Sequence, residues 1–232
     1  MKLTKVKVKI VVATRLSEDV FHDKSALGQS LKTLRPLLPF ELCLFSENTS
    51  GLPTIYNSVI DAAKDDPSIL VFLHDDVFIC DFLWLRGVLQ GLQRFDLLGL
   101  VGNKRRLPRQ SSWAFVDDKF TWDKKENFSG IIGHGSGIPN YRISAFGEPG
   151  QAVKLLDGVF LACQSRTLHK HNIKFDELFD FHFYDLDICR QVEAKKLKMG
   201  TWPISVIHES GGAFGSSAWR DSYAQYLDKW GS

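Results

Sequence analysis

Residues 69–73 read Ile-Leu-Val-Phe-Leu, five apolar side chains in a row, and the run stops at His74-Asp75-Asp76. A run this short suits a strand better than a helix. Strand side chains alternate between faces, so a wholly apolar strand needs cover on both sides. That is the situation of a central strand in a parallel sheet flanked by helices. The switch to three polar groups then falls at the strand's carboxyl end, where open α/β sheets bind their ligands.

The chain on either side fits such a sheet. Lys5, Lys7 and Lys9 alternate with Val6, Val8 and Ile10, which predicts a strand over 5–13 rather than the unbroken apolar core of a signal peptide. A helix is expected within 21–34 and a second strand over 40–45. Leu52, Ile55, Tyr56, Val59, Ile60 and Ala63 recur at helical spacing, with Pro53 suited to a first turn. Phe82, Leu85, Leu89 and Leu92 mark one face of a further helix, and 97–101 reads as a strand. This alternation of strand and helix predicts a mostly parallel sheet with helices on its faces.

From 103 to 150 the periodicity is lost. Gly130, Gly133, Gly135, Gly137, Gly147 and Gly150, with Pro139 and Pro149, predict a long loop. Trp113, Phe115, Phe120, Trp122 and Phe128 crowd its first part, and two readings stand for them: a sugar-stacking surface or a local core. Regular structure is expected again over 152–163, interrupted at Asp157-Gly158, then as a helix over 184–198 and a strand over 202–207 ending at His208. A last helix carries Trp219, Tyr223, Tyr226, Leu227 and Trp230 on one side. The 232 residues show no linker or repeat, so one domain spanning 1–232 is expected.

A formal net charge of +2 argues against a nucleic-acid partner. The cluster Lys104-Arg105-Arg106 with Arg109 reads either as a solvated loop or as a grip on phosphate. Cys43, Cys80, Cys163 and Cys189 form no CxxC pair and sit among apolar residues, which fits free thiols in a reducing cytoplasm. No stretch approaches the length of a transmembrane segment, so cytoplasmic residence is expected, with peripheral association with a membrane left open.

Two adjacent carboxylates at the end of an apolar strand are unfavourable unless their charge is compensated. Mg2+ or Mn2+, which favour oxygen ligands, would compensate it; a turn capping a helix near Asp81 is the alternative. Alternation points the two acids apart, so Asp76 is assigned to the metal and Asp75 to the sugar or ribose. His208, also at the end of an apolar strand and before Glu209-Ser210-Gly211-Gly212, is assigned as a second metal ligand. Asp185 begins a helical stripe with Ile188, Cys189 and Val192. It reads as a general base beside an apolar wall or as an acid on the helix dipole. Asp187, with Arg190 three residues on, reads as structural.

Four segments now stand in order: Phe72-Leu73-His74-Asp75-Asp76-Val77, Leu156-Asp157-Gly158-Val159-Phe160, 175–187 with Tyr184-Asp185, and His208-Glu209-Ser210-Gly211-Gly212. Together they resemble the family 2-like glycosyltransferases, most of all the branch typified by the streptomycin-biosynthesis StrF protein. The resemblance runs from about residue 53 to residue 212. It implies an α/β GT-A-type three-layer sandwich, with a nucleotide-binding half over about 1–102 and an acceptor and catalytic half over about 103–232. It also implies a nucleotide-diphosphate sugar donor, Mn2+ or Mg2+, and inversion at the anomeric carbon. The acceptor would be a glycan, a lipid-linked sugar or a small molecule.

In that resemblance Asp76 matches the last acid of the metal motif, Asp185 the base, and Asp157 a position facing donor sugar or acceptor. Asn57 matches an asparagine after the nucleotide-binding region, and Thr14, Arg15 and Glu47 lie in the two early loops that hold base and ribose. The glycine-rich stretch 130–150 would close over the donor. Two departures stand out: the metal motif reads His-Asp-Asp rather than Asp-x-Asp, and Tyr184 replaces a glutamate beside Asp185. Two other functions compete. One is a non-catalytic nucleotide- or glycan-binding domain. The other is a sugar nucleotidyltransferase, disfavoured because Ala13-Thr14-Arg15-Leu16-Ser17 lacks a glycine-rich phosphate loop.

Overall fold

The computed structural model describes residues 7–34 and 39–231. Of the strand expected over 5–13, Lys5 and Val6 lie outside the described residues, and β1 runs Val8–Ala13. Around it, β2 (Glu41–Phe45) and β3 (Ile69–Leu73) pair in parallel, with β3 buried throughout. The full first sheet has the order β11-β5-β10-β3-β1-β2, with β5 (Leu97–Gly99), β10 (Phe160–Gln164) and β11 (Met199–Thr201). β10 enters antiparallel between β3 and β5, whereas β11 and β5 are parallel. The fold is α/β with mixed sheets. Helix α3 (Leu52–Ala62) contacts β1, and α5 (Ser165–His171) contacts β10.

A second sheet has the order β4-β12-β7-β6-β9, with β8 added to β7. Its strands are β4 (Val77–Ile79), β6 (Val101–Asn103), β7 (Phe128–Gly135), β8 (Tyr141–Gly147), β9 (Leu155–Leu156) and β12 (Val206–His208). This sheet corrects the second half of the long loop expected over 103–150: residues 104–124 hold no strand or α-helix, but 128–147 form β7 and β8. The glycines do not make that segment irregular; they let β7 pair closely on both sides. Gly130 has φ +109°, and a Cβ there would sit 2.0 Å from the carbonyl oxygen of Leu100. The segment expected to close as a flexible cover is therefore largely a hairpin.

Other boundaries shift for local reasons. The helix expected within 21–34 is two, α1 (Glu18–Lys24) and α2 (Ala26–Leu34). Ser25 between them is extended, and its Oγ donates to Phe21 O and accepts from Gly28 N. The strand expected over 97–101 divides at Leu100 into β5 and β6, one in each sheet. Phe82 lies outside α4 (Trp84–Gly91) and is exposed.

The last helix, α7 (Ser217–Trp230), buries Trp219, Tyr223 and Tyr226. It is tied to α6 (Tyr184–Ala194) through Asp187, which accepts hydrogen bonds from Lys229 Nζ at 2.6 Å and Trp230 Nε1 at 2.7 Å. Asp187 is structural as expected, but its partners come from α7 and Gln191, while Arg190 lies over the Trp230 ring.

Candidate active site

Three strand ends converge. His74, Asp75 and Asp76 follow β3, and His208 ends β12, which pairs antiparallel with β4 and so sets His208 opposite Val77. The antiparallel β10 brings its preceding turn, Asp157-Gly158, beside His74, whose N–H donates to Val159 O at 3.3 Å. Phe183 adopts the left-handed region (φ +68°) before α6 and so presents Tyr184 and Asp185 to that turn.

His74, Asp76 and His208 each offer a ligand atom, all within 4.8 Å of one another. His208 Nε2 lies 3.3 Å from Asp76 Oδ2, and Ser210 Oγ lies 3.0 Å from the same nitrogen. Asp76 Oδ1 is buried without a hydrogen-bond partner. An orphaned carboxylate oxygen between two imidazoles fits a divalent cation, because such an oxygen is otherwise unfavourable. Burial works to raise the Asp76 pKa, but hydrogen bonding to His208 and the imidazole charges outweigh it and hold the carboxyl at about 2. Burial pushes the His74 pKa down, which favours the neutral, ligating form. For His208 burial acts in the same direction, but the Asp76 carboxylate outweighs it and the pKa rises.

The sequence reading named Asp76 and His208 as ligands and passed over His74. The available signal was an imidazole at the end of the same apolar strand. Its Nε2 lies 2.8 Å from the Tyr184 hydroxyl, which donates to Gly158 O at 3.0 Å. With the tyrosine proton committed to that carbonyl, His74 Nε2 carries its own proton, and Nδ1 keeps the lone pair. Gly158 is required for this contact: a Cβ there would lie 2.3 Å from the Tyr184 hydroxyl oxygen.

Asp185 Oδ2 accepts from Gly158 N at 3.1 Å and Oδ1 from Leu186 N at 2.9 Å. Burial, then the facing charge of Asp157, push its pKa up to about 7. Asp157 is itself anchored by Trp113 Nε1 at 2.5 Å and Val159 N at 2.8 Å.

The remaining candidates divide. Thr14 and Asp75 meet, with Thr14 Oγ1 donating to Asp75 Oδ2 at 2.6 Å. Both line a cleft of about 660 Å³ with half-buried Asn48 and exposed Arg15, Asp180 and Phe181. The two acids diverge, but in the turn between β3 and β4 rather than within a strand: Asp75 faces the cleft and Asp76 the histidines. Glu47 is exposed, has φ +49°, and is not among the cleft-lining residues. Asn57 is buried away from the cleft, and its amide bonds to both the N–H and the carbonyl of Phe175 and to Glu177 Oε1. In the basic cluster, Arg105 pairs with Asp123 and Arg106 with Glu193. Among the described residues no helix is long and apolar enough to cross a membrane.

The fold is similar to that of GalNAc-T7, crystallised with UDP, GalNAc and Mn2+, at a TM-score of 0.55 and 12% identity. That match covers 97% of this chain and 48% of the other, so this chain spans about half the length of GalNAc-T7. A weaker likeness, at a TM-score of 0.45 and 12% identity over 88% of this chain and 82% of the other, is to A197 from STIV. Among curated proteins no sequence matches this chain significantly. Residues 45–215 match the model of a glycosyltransferase-like family, and that span takes in His74, Asp76, Asp157, Asp185 and His208. The chain belongs to the glycosyltransferase-like family and contains a glycosyltransferase domain.

Proposed function

We propose that this domain is a metal-dependent, inverting glycosyltransferase that moves a sugar from a nucleoside-diphosphate donor to an acceptor hydroxyl. Within its family we assign it to the StrF-like branch, on the order of its four motifs. The observation that carries the reading is the His74–Asp76–His208 group, with its orphaned Asp76 oxygen, linked through Tyr184 and Gly158 to Asp185, whose pKa burial pushes up to about 7. The nucleotide is assigned to the cleft of Thr14, Arg15 and Asp75 in the 1–102 half, and the acceptor to the 103–232 half of the same domain.

His74, Asp76 and His208 would hold the cation. Two imidazoles in the set favour Mn2+ over Mg2+, which prefers an all-oxygen shell. When bound, such a cation supplies positive charge that offsets the charge on the departing diphosphate. In the transfer, the acceptor oxygen bonds to the anomeric carbon as the bond to the diphosphate oxygen breaks. The acceptor proton passes to Asp185, and the electron pair leaves on the diphosphate. A carboxylate with a pKa near 7 suits a general base at neutral pH. Burial, and after it the negative charge of Asp157, keep Asp185 basic, and Trp113 fixes Asp157 in place. The four free thiols support residence in a reducing cytoplasm. The acceptor class is a glycan, a lipid-linked sugar or a small molecule.

The test is thermal unfolding against a panel of nucleoside diphosphates and nucleotide sugars, with and without Mn2+. A ligand at about a hundred times its dissociation constant adds about 2.7 kcal/mol, a shift of about 5–10 °C for a chain of this size. A Mn2+-dependent shift with one nucleotide, lost in Asp76→Ala, is expected. No shift with any nucleotide would overturn the donor site.

A further inference from the structure

The aromatic residues between Trp113 and Phe128 divide in the fold. Trp113 and Phe128 are buried, with Phe146 of β8 packed on both at 4.9 and 5.9 Å. They form the local core. Trp122 is 56% exposed although its ring lies nearly parallel to Phe146, at 17°. Phe115 packs edge-on against Trp122 at 5.1 Å and against Phe214 at 5.1 Å, and Phe214 is 43% exposed. The result is an outward aromatic surface, with Trp122 and Phe214 on either side of Phe115.

This surface is continuous with the site at both ends. Trp113, one ring away from Trp122 through Phe146, donates to the Asp157 carboxylate. Phe214 lies six residues beyond His208 on the loop that leaves the metal group. Strand β7 runs between the two: Phe128 touches Trp122 at one end, and half-buried His134 packs by His208 at the other. Ile131 points the opposite way, to solvent.

We propose that Trp122 and Phe214 form a stacking subsite for a pyranose ring, so that the acceptor is a glycan rather than a small non-sugar molecule or a bare lipid. The inference rests on the transferase reading for its direction, toward the acceptor. Flat aromatic faces carry a negative quadrupole that attracts the weakly positive C–H face of a sugar. Exposed Asp118, Lys119, Thr121 and Lys124 flank Trp122 in the chain and supply polar groups for ring hydroxyls. A site for an aliphatic chain would instead be lined by aliphatic side chains and would lack this polar border.

The experiment follows the indole N–H resonances of the full chain by NMR, with Trp122→Phe assigning the Trp122 signal. The probes are methyl glycosides of glucose, galactose, mannose, N-acetylglucosamine and N-acetylgalactosamine, with cyclohexanol as an apolar ring lacking the sugar's hydroxyl pattern. The expected result is a saturable shift of the Trp122 signal with at least one glycoside and not with cyclohexanol. Binding should weaken about three- to tenfold in Phe214→Ala. No saturable shift with any glycoside, or an equal response to cyclohexanol, would overturn the subsite. UDP with Mn2+ is titrated in parallel by thermal unfolding. A nucleotide response without a glycoside response removes the subsite and leaves the transferase reading; the converse leaves a sugar-binding surface and removes the donor site.

Discussion

His74 Nε2 lies 2.8 Å from the Tyr184 hydroxyl, and that hydroxyl donates to the Gly158 carbonyl at 3.0 Å. A strand end, a helix start and a turn are thereby locked around one imidazole. Partners of this kind orient metal ligands, and their loss weakens metal binding by about 10- to 100-fold. Tyr184→Phe is therefore expected to reduce Mn2+ affinity by that order in a titration with UDP present. Unchanged affinity would mean that His74 is not a ligand or needs no orienting partner.

Asp185→Asn is expected to abolish transfer while leaving the Mn2+-dependent nucleotide shift intact. In the unaltered protein, kcat/KM should rise with pH through a limb near 7, because the base acts only when ionised. Asp157→Asn removes the facing negative charge and should move that limb to lower pH. The stability effect has the opposite sense. A carboxyl whose folded pKa is raised burdens the native state when charged, and the burden is relieved as pH falls from about 7 toward about 4. Asp185→Asn should consequently raise Tm at pH 8 relative to the parent and lose that advantage at pH 4. A Tm difference independent of pH would count against the raised pKa.

Asn57 holds the backbone of Phe175 on both sides and reaches Glu177. Asn57→Ala leaves the buried Phe175 N–H without its partner, at about 1–3 kcal/mol of stability. Urea unfolding reads this directly. Nucleotide affinity should be unchanged at temperatures where the variant is folded; a selective loss of affinity would return Asn57 to the donor site.

Asp187 is fully buried and takes Lys229, Trp230 and Gln191. Asp187→Ala strands the Trp230 N–H and leaves Lys229 with Asp176 as its one carboxylate partner, at about 1–3 kcal/mol. The loss should appear first as faster proteolysis within α7, since that contact ties the helix to α6. Cleavage spread evenly over the chain would argue against a local latch.

The sequence by itself determined the core of the α/β fold. The run over 69–73 announced a buried central strand, and the spacing from Leu52 to Ala63 announced α3, because hydrophobic periodicity is a local property. It also placed Asp75 and Asp76 at a strand end and directed them apart. Only the tertiary structure decided how β10 enters, antiparallel against β3, which carries Gly158 to His74. The pairing of β12 with β4, which brings His208 within 3.3 Å of Asp76, is likewise invisible in sequence: 132 residues separate the two side chains. The glycines over 130–150 were read as a loop, yet they serve a hairpin, since a missing Cβ permits close strand pairing as readily as it permits a turn. Periodicity along a chain fixes which face is buried. It carries no information about which distant groups will meet there, and the site of this protein is made of such meetings.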